Sequence, residues 1–183
     1  MGRCLKPNTQ QLSGAIASVY GSAAGQEFDK MWSAHIQDFV NYVVATKNHD
    51  SAGQQSALAS LANYKVNFAK FLAGANPNYN AAALEDSLQV HVTQLITTFR
   101  DFVGKNPTSA IPAYVTAYGH MFMAGDYLAQ GIVEQFPNKF GVTMVNNATS
   151  PVTGLPFVPA MAFGAALIAG GAALWLRRGA EAR

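Results

Sequence analysis

One helical pattern is written twice in this chain, 56 residues apart, and that repeat limits the fold more than any other feature. The segment from Trp32 to Ile36, with His35 inside it, falls on Leu88 to Val92, with His91 in the same place. Tyr64 falls on His120, Phe68 on Ala124 and Leu72 on Leu128, while Leu12 to Ala17 falls on Phe68 to Ala73. A unit of this length with helical periodicity is a hairpin of two helices that cannot bury its own apolar stripe. Stacking the units makes the core.

Apolar residues recur at helical spacing from 9 to 136, and no stretch alternates with the period of two that a strand needs. The spacing predicts helices over about 9–20, 24–46, 54–74, 81–103 and 109–135. Phe28, Trp32, His35, Phe39 and Tyr42 share one stripe of the second, and Leu84, Leu88, His91 and Leu95 share one of the fourth. Breaks fall at Asn48 to Gly53, Ala75 to Asn78 and Gly104 to Pro107, where Gly, Asn and Pro punctuate the pattern. The expected fold is all-α, an antiparallel four-helix bundle of hairpin repeats with the first short helix packed at one end. On that reading the first helix is the end of a repeat helix whose start is absent, and a piece of a longer protein is expected.

Residues 1–140 read as this bundle, 141–154 as a spacer rich in Asn, Thr, Ser and Gly, and 155–183 as an apolar run with a basic end. No charge occurs between Lys139 and Arg177. The run Phe157 to Leu176 is long enough for a transmembrane helix, because about 20 residues at roughly 1.5 Å each cross a hydrocarbon core of about 30 Å. Arg177 and Arg178 just beyond it are expected to stay on the cytoplasmic side, leaving the bundle outside. Residues 1–154 hold nine Lys/Arg and nine Asp/Glu. That balance excludes the basic surface that nucleic-acid binding needs, so no nucleic acid is expected as a partner. Cys4 is the only cysteine and no internal disulfide can form.

One constellation carries possible chemistry. His35, His91 and His120 each lie near the midpoint of a helix, and midpoints meet in one layer of an antiparallel bundle. Met31 precedes His35 by one turn, and Met123 follows His120. Imidazole and thioether form a soft ligand set that suits copper better than calcium or magnesium. The alternative is a structural layer of neutral histidines, with Tyr64 as a hydrogen-bonding neighbour and methionine filling gaps. A third possibility is a pH-responsive layer. Asp126 is the one carboxylate near enough in sequence to face such a layer. Catalytic residues are not evident: there is no glycine-rich phosphate loop, no nucleophile elbow and no Glu-x-x-His pair.

The end of the chain resembles the C-terminal cell-wall sorting signal of Gram-positive surface proteins, an LPxTG-type pentapeptide before a hydrophobic span and a basic tail. Here the pentapeptide is Ser150, Pro151, Val152, Thr153 and Gly154, with serine where leucine is usual. The resemblance implies a sortase and peptidoglycan as partners and an extracytoplasmic location at membrane or wall. Residues 8–140 are similar to secreted helical-repeat proteins of Gram-positive bacteria that often carry the label "copper amine oxidase". The likeness rests on Ala17 to Gly21, Phe71 to Pro77, Gly119 to Asp126 and Gln135 to Phe140. It implies copper as a possible cofactor. Amine oxidase activity is not expected, because Ala75 to Asn80 lacks the threonine and the acid of the quinone-forming motif in true copper amine oxidases.

Overall fold

The computed structural model describes residues 5–141, and all of its regular structure is helical. Five helices follow one another: α1 (Leu5–Tyr20), α2 (Ser22–Lys47), α3 (Ser51–Ala75), α4 (Ala81–Val103) and α5 (Pro107–Gln135), with a short 3-10 turn at Pro137–Phe140. Each long helix packs against the next in the chain, and α2 also touches α4. Among the described residues no helix is long and apolar enough to cross a membrane. The apolar run, the pentapeptide at 150–154, Arg177 and Arg178 lie outside the described residues.

The observed bounds differ from the expected ones mostly at helix starts, and capping explains why. Asp50 Oδ1 accepts the Gly53 N–H at 2.9 Å, so α3 begins three residues before its apolar stripe does. Asn106 Oδ1 does the same for Ser109 at 3.3 Å and allows Pro107 to open α5, where its missing N–H costs nothing. Asn80 caps α4 through Ala83 N–H at 3.1 Å.

The 56-residue period reappears in the joints between helices. His49 N–H donates to Thr46 O and Asp50 N–H to Ala45 O; 56 residues later Lys105 N–H donates to Phe102 O and Asn106 N–H to Asp101 O. His49 and Lys105 take the left-handed conformation, with φ of 57° and 58°. Each joint is therefore a Schellman turn that closes one helix, and its last residue caps the next. The link between α1 and α2 is shorter still, the single residue Gly21 at φ 93°, a value that suits glycine.

Two apolar clusters make the core. One gathers Phe28, Trp32, Tyr64, Phe68, Leu72, Tyr79 and Leu84; the other gathers Phe39, Leu61, Val92, Leu95 and Ala117. The midpoints of α2 and α4 lie between them, and this is where the histidines fall.

Candidate functional site: a buried histidine layer

His35 is buried in α2 because the stripe that carries it also carries Phe28, Trp32 and Phe39. Its imidazole lies flat on the Tyr64 ring at 4.5 Å and 11°, with the Trp32 indole at its edge at 4.5 Å. Phe39 sits edge-on to both histidines, 5.8 Å from His35 and 6.1 Å from His91. One phenyl ring thus bridges two buried imidazoles on α2 and α4. His91 in turn stacks on His120 of α5 at 6.4 Å and 15°. The two face-to-face pairs, His35 with Tyr64 and His91 with His120, are the same pair one repeat apart.

His120 is half-buried and held by α4. Its Nε2 lies 3.0 Å from the Ser87 carbonyl and 3.2 Å from the Ser87 hydroxyl. A carbonyl only accepts, so Nε2 of His120 carries the proton, which leaves Nδ1 as the basic nitrogen when the ring is neutral. His35 and His91 are bound differently: the Nδ1 of each is buried with no hydrogen-bond partner among the described residues, as is Trp32 Nε1. Burial, and then the neighbouring His91, lowers the His35 pKa to about 3. Burial, and then His120, lowers that of His91 to about 4. At neutral pH both rings are uncharged, the state in which an imidazole nitrogen can ligate a metal.

The other expected members of the layer are placed less favourably. Met31 is half-buried and packs against the cluster around Phe28 and Trp32. Met123 is 65% exposed, so its thioether is directed to solvent rather than into the layer. Asp126 is exposed too and supplies no carboxylate to the histidines. Tyr64 meets His35 through its ring face instead of its hydroxyl, so stacking replaces the expected hydrogen bond. Among the described residues no three His, Cys, Asp or Glu side chains gather closely enough to hold a metal ion.

Compared with protein-family models, curated proteins and solved structures, the chain matches none.

A second polar constellation escaped the sequence analysis. Asn76, fully buried at the end of α3, donates through Nδ2 to the Tyr20 hydroxyl at 3.0 Å. Its Oδ1 accepts the Asn78 N–H at 2.9 Å. The Tyr20 hydroxyl donates to Gln135 Oε1 at 2.9 Å, and Gln135 Nε2 donates to the Ala75 carbonyl at 3.1 Å. The Tyr79 hydroxyl donates to the Leu128 carbonyl. These bonds tie the C-terminal ends of α1, α3 and α5 together. Asn-Pro at 76–77 signals a turn, but no local pattern says that its amide reaches across 56 residues.

Proposed function

We propose that this chain is a surface-anchored, extracytoplasmic helical-bundle module built of 56-residue hairpin units, with a structural or interaction role. One observation carries the choice of role. The buried histidines are packed by aromatic rings and lack the carboxylates or exposed nucleophiles that acid–base or covalent chemistry needs. Support for location comes from sequence alone: the sorting-signal-like pentapeptide at 150–154, the apolar run to Leu176, and Arg177 with Arg178. In this reading the run serves as a transmembrane anchor, or a sortase joins Thr153 to peptidoglycan. Fractionating cells with and without sortase tests both. Wall-linked protein that disappears without sortase supports the transpeptidation, and protein in the membrane fraction of both strains leaves only the anchor. Recovery in the soluble cytoplasmic fraction of both strains overturns the location.

A second reading is a transition-metal module, copper first, and it is favoured by the two orphaned imidazole nitrogens of His35 and His91. Nitrogen donors left without hydrogen bonds in a buried site are available to a soft metal. His120 and Met31 are the nearest candidates for further ligands. Metal analysis of purified protein decides it. One copper per chain, lost in the His35→Phe/His91→Phe variant while helicity is kept, supports the metal. Equal copper in both proteins removes it.

A further inference from the structure

We infer that α5 pairs antiparallel with α5 of a second copy of this chain, through the stripe Ile111, Val115, Tyr118 and Phe122. These residues follow one another at spacings of four, three and four, and so share one helix face. Ile111 and Val115 are 61% and 60% exposed, and Phe122 is 39% exposed. Tyr118 packs edge-on against Phe122 at 4.9 Å, which makes the aromatic part of the stripe continuous.

The repeat shows that this face differs from an ordinary helix surface. Fifty-six residues earlier, α3 carries Gln55, Ala59, Ala62 and Val66 at the same four positions. The inner face changes in the opposite direction: Leu61, Tyr64 and Phe68 of α3 become Ala117, His120 and Ala124 in α5. In α5, then, large apolar residues have moved from the inner face to an outer one. That outer face lies beside the place where α3 meets its next helix, for Lys65 of α3 pairs with Glu85 of α4 at 3.4 Å. The position one repeat after Lys65 is Met121, adjacent to Phe122, and no long helix follows α5 among the described residues.

Three properties select a second copy as the occupant. The stripe is symmetric about the point between Val115 and Tyr118, so antiparallel copies set Ile111 against Phe122 and Val115 against Tyr118 on both sides of a two-fold axis. Asp126 and Glu134 are the only charged residues in α5, and neither belongs to the stripe, so two copies meet without like-charge repulsion. Finally, large side chains of ~150–250 Å² at these exposures, with their flanks, amount to about 500 Å² per copy. Two copies would bury on the order of 1,000 Å², the lower bound of a specific interface.

Sedimentation of the full chain in mild detergent is the first test. Dimer is expected at about 100 μM, above the micromolar dissociation constant that such an interface supports, and monomer throughout would overturn the proposal. Geometry is tested by a short bismaleimide in a Cys4→Ser background. The Ile111→Cys/Phe122→Cys pair is expected to cross-link into dimers at least tenfold more than Ile111→Cys alone. Strong linking by Ile111→Cys alone means parallel pairing and overturns the antiparallel register. If instead Ile111→Cys links within one chain to Leu167→Cys, the apolar run covers the stripe and the second copy is excluded. Val115→Lys, which leaves the inner face untouched, is expected to reduce dimer at least tenfold with helicity unchanged; unchanged dimer sinks the interface.

Discussion

His35 lies flat on Tyr64, and one repeat later His91 lies flat on His120, so the bundle holds two stacked pairs in register at its centre. The stacking keeps both buried imidazoles neutral, and stability must therefore depend on pH. The folded-state pKa values, about 3 for His35 and about 4 for His91, lie below the ordinary histidine value of 6.5. The unfolded chain binds protons first, so the contribution of these groups is full above pH 6.5. It is lost as pH falls towards 4 and then 3, at about 1.4 kcal/mol per pH unit for each ring. Urea unfolding between pH 7 and 4.5 is expected to show this fall. The His35→Phe/His91→Phe variant should have a flatter profile, and an equal slope would assign the pH dependence to other groups.

The Asn76–Tyr20 bond should be worth more than its length suggests, since both groups lose water on folding. Asn76→Ala leaves the Tyr20 hydroxyl and the Asn78 N–H without their partner, and a loss of about 2–3 kcal/mol is expected. Tyr20→Phe removes one partner of the same bond, so its cost and that of Asn76→Ala should not add. A double-mutant cycle by urea denaturation measures the coupling, expected at about 1 kcal/mol or more. Strict additivity would show that the knot is not a unit.

Two glycines of α5 should respond in opposite directions to alanine. A Cβ on Gly131 would sit 2.1 Å from Tyr79 Cε1, while one on Gly119 would meet nothing within 4 Å. Gly131→Ala must push out the tyrosine that bonds Leu128, at a cost of about 1–3 kcal/mol. Gly119→Ala gains helix propensity and is expected to stabilise by about 0.5–1 kcal/mol. Thermal unfolding of the two variants checks both signs.

The left-handed residues at the joints offer a matched pair. His49→Gly and Lys105→Gly should each stabilise by about 0.5–1 kcal/mol, because glycine takes this conformation without the Cβ penalty. The two effects should also be equal within a few tenths, since the hydrogen bonds around both positions are the same. Unequal melting shifts would mean that side-chain contacts, rather than backbone, set the preference.

Periodicity made the helices legible: α4 runs from Ala81 to Val103 as its stripe predicts. Helix starts were less so, because Asp50 and Asn106 act through single capping bonds that leave no apolar trace. The burial of His35 and His91 could be read from their flanking residues, since Trp32, Phe39, Leu88 and Leu95 mark the inner stripe. Met123 could not be placed that way. It lies three residues after His120, and only the angle of α5 against α4 decides that one faces Ser87 while the other faces solvent. The Tyr20–Asn76–Gln135 knot is non-local in every bond, and such bonds have no signature in a window of sequence.

The three-residue joints have a consequence for how such a chain can lengthen. Asp50 and Asn106 each finish one helix and open the next, so neither joint has slack. One extra residue there would separate the closing turn from the cap and rotate the following helix by about 100° relative to its neighbour. A joint tolerates neither stretching nor trimming. The array behaves as a ruler marked in whole hairpins, and a longer relative of it would differ by multiples of 56 residues.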